Sequence, residues 1–367
     1  MPLPSQFLDE IRERLALSEI VGRRVKLQRR GREYLGLCPF HNEKTPSFTV
    51  SDDKGFYHCF GCQSHGSHFD FVMQTERVPF REAVERLAAE AGLQMPARSA
   101  SDEARYEQRE RLIDVAETAS SWFEAQLGAG IGKRALDYLL GRGLAPETIR
   151  QFRLGFAPNA RRALKDAMSA RNILDQDLVA TGLVIKPEEG GDSFDRFRDR
   201  ITFPITDRRG QVIAFGARAL SPNAKAKYLN SPETPLFHKG DILYNLAGAR
   251  QAIHDTGTAL IVEGYMDVIA LTQAGVGNAV APLGTALNER QIQLLWRIAP
   301  EPVLCLDGDP AGLRAARAAA ERALPLLRPG HSLRFAVLPQ GEDPDSLVRT
   351  KGPQAIEGLV AAAKPLA

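Results

Sequence analysis

Two short knuckles, Cys38-Pro-Phe-His41 and Cys59-Phe-Gly-Cys62, constrain the fold of this chain more than any other feature in it. In each, two residues separate a pair of soft or borderline ligands, a spacing at which four side chains close a tetrahedron around Zn²⁺. A closed set of four leaves no position for substrate, so the expected ion is structural and stabilises a segment too poor in apolar residues to hold a core alone. His58, His65 and His68 lie near enough to compete with His41 for the fourth place, but they fall outside the paired spacing. Between the knuckles, Ser47-Phe-Thr-Val50 and Gly55-Phe-Tyr-His58 read as strands joined by a turn at Ser51-Asp-Asp-Lys54. That pattern predicts a ribbon. Tyr34, Phe48, Phe56, Tyr57 and Phe60, interleaved with basic residues, can either fill its small core or stack single-stranded bases.

Farther along, two apolar runs end in acid. Thr258-Ala-Leu-Ile-Val262 leads into Glu263-Gly-Tyr-Met-Asp267, and Pro302-Val-Leu-Cys-Leu306 into Asp307-Gly-Asp309. Short runs of aliphatic residues read as strands buried on both faces, and in open α/β sheets ligands gather at the carboxyl ends of such strands. A third acidic turn, Gly341-Glu-Asp343-Pro-Asp345, follows the strand-like Leu333–Leu338. Clustered carboxylates favour hard divalent cations, and such cations neutralise phosphate oxygens during phosphoryl transfer. Asp307 and Asp309 could instead cap the alanine-rich helix that starts at Pro310. Capping alone does not account for three acidic turns. Cys305, alone in its apolar run, reads as a core residue.

The rest of the chain gives coarser information. Its 367 residues suggest two or three domains. No apolar stretch reaches the roughly 20 residues of a membrane span, and the N-terminus lacks a secretory signal, so a cytoplasmic protein is expected. Net charge is only +2, which confines any nucleic-acid footprint to local clusters: Arg23, Arg24, Lys26, Arg29, Arg30 and Arg32, and then Arg196, Arg198, Arg200, Arg208 and Arg209. Taken singly, either cluster also fits a solvated face. Pro79–Gly92 reads as an amphipathic helix ended by glycine, and the polar segment after Met95 as an exposed linker. Leu112–Leu127 and Ala135–Leu140 read as helices, Ile201–Ile205 and Val212–Phe215 as strands.

The two metal signatures, in this order, resemble bacterial DNA primase along the whole chain. Cys-Pro-Phe-His-Asn-Glu-Lys-Thr-Pro-Ser-Phe with Tyr-His-Cys-Phe-Gly-Cys is similar to that family's zinc ribbon, and Glu-Gly-Tyr-Met-Asp with Asp-Gly-Asp to its Toprim fold. Arg198–Ile205, Gly210–Arg218, Lys227–Thr234 and Phe237–Gly240 resemble its core. Gln63 stands where the family often has glycine, followed by a histidine-bearing turn at Ser64–His68, and Pro310 is a further departure. The resemblance implies an α/β multidomain chain: a zinc ribbon over 1–96, a linker over 97–111, a mixed α/β subdomain over 112–256, a Toprim subdomain with a central parallel-type sheet over 257–346, and the start of a helical subdomain over 347–367. A full member continues through that helical part to a helicase-binding domain. The sequence is therefore expected to be a C-terminally truncated piece, whose contact with the replicative helicase would need the absent domain.

By the same resemblance, the expected activity is DNA-templated synthesis of short RNA primers on single-stranded DNA in the cytoplasm, at replication forks of the nucleoid. The primer 3′-OH attacks the α-phosphate of a ribonucleoside triphosphate and pyrophosphate leaves. Glu263, Asp307 and Asp309 are expected to hold two or more Mg²⁺ or Mn²⁺ ions, with Asp267, Asp343 and Asp345 extending the cluster and Glu263 a candidate general base. The resemblance assigns Arg142, Arg218 and Lys227 to DNA or nucleotide phosphate and Asn230 to the incoming nucleotide. The ribbon is expected to read the template. Two other readings use the same residues: a Toprim nuclease or topoisomerase, and a non-catalytic single-strand binding module. A topoisomerase needs a nucleophilic tyrosine in a separate cleavage domain, and few of the 7 tyrosines lie outside segments already accounted for.

Overall fold

A computed structural model describes residues 3–96, 100–284 and 287–366, and contacts divide the chain after Arg105 into two units. In the first unit, α1 (Ser5–Arg14) and α2 (Leu17–Gly22) precede five short strands, β1 (Gln28–Arg30), β2 (Glu33–Gly36), β3 (Phe48–Ser51), β4 (Phe56–Cys59) and β5 (His65–Gly66). They form an antiparallel meander in sequence order, backed by α3 (His68–Glu76) and α4 (Phe80–Glu90). Alternation decides which rings are core. Phe48, Val50 and Tyr57 turn inward to meet Phe71, with Phe48 and Tyr57 stacked at 5.2 Å and Tyr57 edge-on to Phe71 at 5.7 Å. Phe56 and Phe60 are exposed. β1 carries no sequence signal for a strand, because every residue of this polar edge is exposed and alternation has nothing to mark.

The segment expected to be a linker, 97–111, is helical from Ala100 onward; residues 97–99 lie outside the described residues. It begins α5 (Ala100–Gly128), which has acidic Asp102 and Glu103 in its first turn and no proline or interior glycine to stop it. The unit boundary still falls inside that segment.

In the second unit, α6 (Lys133–Gly141) and α7 (Pro146–Gln151) lead to β6 (Gly155–Ala157), followed by α8 (Ala163–Ser169), α9 (Asp175–Ala180) and the small pair β7 (Val184–Ile185) and β8 (Phe194–Asp195). Strands β9 (Arg200–Thr206), β10 (Val212–Ala219) and β11 (Tyr228–Asn230) complete an antiparallel sheet of order β11-β10-β9-β6. Its inner residues, Phe203, Phe215 and Ile201 among them, are fully buried.

After α10 (Leu246–Thr256) the chain alternates β12 (Leu260–Ile261), α11 (Tyr265–Gln273), β13 (Ala279–Val280), α12 (Glu289–Trp296), β14 (Val303–Leu306), α13 (Pro310–Ala323), β15 (Arg334–Val337), α14 (Pro344–Lys351), α15 (Pro353–Ala361) and β16 (Lys364–Pro365). The sheet order is β13-β12-β14-β15-β16, parallel except at β16. β12 therefore sends its connection one way to β13, and the chain returns across it to β14. In a parallel sheet the crevice between two such strands is where ligands bind. Glu263 follows one of these strands and Asp307 the other.

Candidate functional site

In the first unit, Cys38, His41, Cys59 and Cys62 bring their ligand atoms within 4.8 Å of one another, and they are the only such set among the described residues. Cys38 Sγ lies 3.7 Å from Cys62 Sγ, and Cys59 Sγ 3.8 Å from His41 Nδ1. The ring's other nitrogen, Nε2, lies 3.3 Å from Glu43. The same carboxylate accepts from the Cys38 and Ser47 backbone N–H groups at 2.7 and 3.2 Å and from the Ser47 hydroxyl. Glu43 thus orients both the histidine and the first knuckle, a carboxylate–histidine arrangement common around zinc. Sequence spacing did not mark it. Burial pushes the Cys38 thiol up to about 12. Burial also raises Cys59, but hydrogen bonds from Ser47 and from the Cys62 and Gly61 N–H groups bring it down to about 7. Four closed donors with this support fit a structural Zn²⁺. The rival histidines have other positions: His68 is buried and bonded through Nε2 to the Leu15 carbonyl, while His58 and His65 stack at 6.2 Å on the outer face. Of the first basic run, Arg23 and Arg24 pair with Glu90 and Glu76.

In the second unit, the acidic turns are tied together by backbone. Asp307 N–H donates to Glu263 Oε1 at 3.2 Å. Gly308 N–H donates to the Glu342 carbonyl at 3.1 Å, and Gly341 N–H to the Gly308 carbonyl at 3.2 Å. A side chain at Gly308 would place its Cβ 2.0 Å from the Pro339 carbonyl oxygen, so only glycine lets these loops close. Capping also operates. Asp309 accepts from Gly312 N–H at 2.7 Å, Asp343 from Ser346 N–H at 2.6 Å, and Asp267 from Gly264 N–H at 3.0 Å, each at the start of a helix.

The carboxylates do not form a set as tight as the zinc ligands, and their protonation reflects crowding. Burial, then repulsion from Asp307, Asp343 and Asp345, raises Asp267 to about 8. Burial, then Glu263, Asp343 and Asp309, raises Asp307 to about 7. One oxygen of Asp307 is buried without a hydrogen-bond partner. An orphaned carboxylate oxygen among other acids at the end of a strand fits a hard divalent cation.

A cavity of about 340 Å³ joins Glu263, Asp267, Asp307 and Asp343 to Arg142, Arg218, Lys227 and Asn230, with Tyr138, Tyr228 and Tyr265 also in its wall. Eight of the residues singled out from sequence therefore share one pocket. Asp309 lies outside its lining and is exposed on the neighbouring turn. Asp345 points elsewhere: it is buried and pairs with Arg142, so each neutralises the other. Sequence reasoning missed Tyr265. Its hydroxyl donates to Asn230 Oδ1 at 2.8 Å, and its ring stacks on Phe203 at 5.0 Å. The ring occupies the space that a Cβ on Gly216 would take, which would lie 2.3 Å away.

Comparison with known proteins agrees with this division of the chain. Residues 3–103 match the CHC2 zinc finger model, 122–250 the N-terminal domain of the DNA primase catalytic core, and 257–337 the Toprim domain. DNA primase of Pseudomonas aeruginosa is 45% identical over 370 aligned residues, covering all of this chain and 56% of that protein. DNA primase of Escherichia coli K12 is 43% identical over 366, covering 99% and 63%. The chain thus spans little more than half the length of such relatives. Among solved structures, a DnaG primase catalytic domain bound to single-stranded DNA superposes with a TM-score of 0.66 at 43% identity, over 71% of this chain and 81% of that one. The Aquifex aeolicus primase zinc-binding and RNA polymerase domains superpose with a TM-score of 0.63 at 31% identity, over 100% and 86%.

Proposed function

This chain belongs to the DNA primase family, and from that premise we propose that it performs DNA-templated synthesis of short RNA primers from ribonucleoside triphosphates. The observation that carries the proposal is the single pocket lined by carboxylates on one side and by Arg218, Lys227 and Asn230 on another. Bound Mg²⁺ or Mn²⁺ would supply charge neutralisation at the attacking and leaving oxygens. Glu263, Asp307 and Asp309 are the residues proposed to hold it, with Asp267 and Asp343 alongside. Glu263, which accepts from the Asp307 N–H, is the residue proposed to take the proton of the attacking hydroxyl. Arg218 and Lys227 meet phosphate, and Asn230, fixed by Tyr265, meets the nucleotide. Arg142 and Asp345 serve here chiefly as a clamp between α6 and α14.

The ribbon is proposed to read the template, and the site of action is the replication fork in the nucleoid. Helicase contact is assigned to no residue of this sequence. Among the described residues, no helix is long and apolar enough to cross a membrane.

Because Asp309 caps α13, the informative variant is Asp309→Asn, which keeps an equally good cap while removing the charge. Templated incorporation of labelled ribonucleotides on defined single strands should fall to background in Mg²⁺ and Mn²⁺, with a melting temperature no lower than the parent's. Normal product from Asp309→Asn would refute the assignment, and strand cutting without ribonucleotides would favour the nuclease reading.

A further inference from the structure

The geometry points to Tyr138 as a positioning residue for phosphate recognition: its ring holds the Arg218 guanidinium ready in the pocket without neutralising the arginine's charge. This rests on the functional reading above and extends it to a residue that no motif marks. The Arg218 guanidinium carbon lies 4.2 Å from the centre of the Tyr138 ring. Among the described residues Arg218 has no carboxylate partner; it donates to the adjacent Ala219 carbonyl at 3.2 Å and interacts with the Tyr228 hydroxyl across the strand pair, both neutral acceptors that leave its charge unpaired.

The arrangement is built by two elements. On the sheet, Arg218 of β10 sits opposite Tyr228 of β11, and Gly216 opposite Asn230, so all four share one face. On the facing helix α6, Tyr138 and Arg142 are four residues apart and lie on the same side. Both arginines reach the same pocket wall, but they are fixed in different ways. Arg142 is neutralised by Asp345, and that pair joins two elements. Arg218 is held by a ring face, which attracts the cation but accepts little from its N–H groups. An arginine held by a carboxylate has spent its fork on that partner. One held by a ring keeps the fork for a phosphate, which it can bind bidentately. Holding a long side chain in one rotamer costs entropy, and the stack removes that cost before the ligand arrives.

Phosphate could come from the incoming triphosphate or from the template backbone. The shared pocket with Glu263 and Asp307 favours the triphosphate.

The test compares Tyr138→Leu, Tyr138→Phe, Arg218→Met and the Tyr138→Leu/Arg218→Met double variant. KM for GTP and ATP and kcat are measured at saturating template in Mn²⁺, and template affinity by anisotropy of a labelled oligonucleotide. Tyr138→Leu should raise KM about fivefold to twentyfold, equivalent to roughly 1–2 kcal/mol, with kcat within about twofold and template affinity unchanged. Tyr138→Phe keeps the ring and should behave like the parent. In the Arg218→Met background, Tyr138→Leu should add nothing. Equal loss with or without Arg218, or loss in Tyr138→Phe as large as in Tyr138→Leu, would overturn the inference. A change in template affinity in place of KM would do the same. If the parent chain makes no product, it is the primase reading that fails. Equilibrium dialysis of labelled GTP then carries the same comparison, and equal affinity of parent and Tyr138→Leu would overturn the role of Tyr138.

Discussion

Removing one charge from the acidic turns should stabilise the cation-free protein, and the size of the effect follows from Asp267. Its carboxyl titrates near 8 in the folded chain against roughly 3.9 in an unfolded one. Between those values the folded state holds a proton that the unfolded state has released, so stability is full below the lower value and is lost as pH rises through the upper one. From pH 5.5 to 8.5 the folded group crosses about 2.5 units of this range, worth about 3 kcal/mol at 1.36 kcal/mol per unit. Asp307, near 7, adds a smaller share, because its carboxyl is half exposed and screened by solvent and because part of its shift is repulsion with the neighbouring acids. The parent should therefore lose about 3–5 kcal/mol over that interval and Asp267→Asn about 1–2 kcal/mol. Asparagine can still accept from the Gly264 N–H, so the α11 start is preserved. The readout is urea unfolding in buffer without added divalent cation. Both tryptophans, Trp122 and Trp296, lie in the second unit, so their fluorescence reports on it alone. Millimolar Mn²⁺ at pH 8.5 should restore most of the parent's loss and little of the variant's. Identical pH slopes for the two proteins would refute the idea that carboxylate crowding is what the cation relieves.

Three further outcomes are expected. Glu43→Gln should weaken zinc about tenfold to a hundredfold in a chelator competition, while Cys59→Ser should lose zinc and impair de novo initiation more than extension of a preformed primer; equal impairment would argue against a template-reading ribbon. Gly216→Ala should cost about 1–3 kcal/mol by forcing its Cβ against Tyr265, seen as a fall of several degrees in the tryptophan-monitored melting temperature; an unchanged melt would show that the ring moves aside freely.

The parts of this molecule legible in sequence are those where chemistry fixes spacing. The knuckles dictated the zinc set because four ligands must converge, and the apolar runs ending in acid marked β12 and β14 because a parallel sheet buries both their faces. β3 and β4 appear within one residue of where alternation put them. What stayed hidden depends on contacts between distant segments. Glu43 and Tyr265 act on partners only the folded chain supplies, and the Arg142–Asp345 pair spans 203 residues. The helical form of residues 100–111 was not legible because polar composition marks exposure, and an exposed helix is as polar as a linker. The capping and metal readings of the acids, opposed in the sequence, turn out to be compatible.

That compatibility has a physical basis. Asp267, Asp309 and Asp343 each give one oxygen to the N–H groups at the start of α11, α13 and α14. A cap needs one carboxylate oxygen, so at Asp309 and Asp343 the second is left for another ligand and the cap fixes the rotamer that presents it, whereas Asp267 also accepts from the Asp345 backbone N–H. The N-termini of α11 and α14, which border the pocket, also bring partial positive charge to it, which favours carboxylates and, equally, the phosphates of a nucleotide. Yet Asp267 and Asp307 remain raised despite this field. Backbone dipoles are thus too weak to hold this many negative charges in one place. If the site admits a nucleotide as proposed, it needs mobile cations to enter with that polyanion, and the stacked, unneutralised Arg218 can supply fixed positive charge in the same pocket.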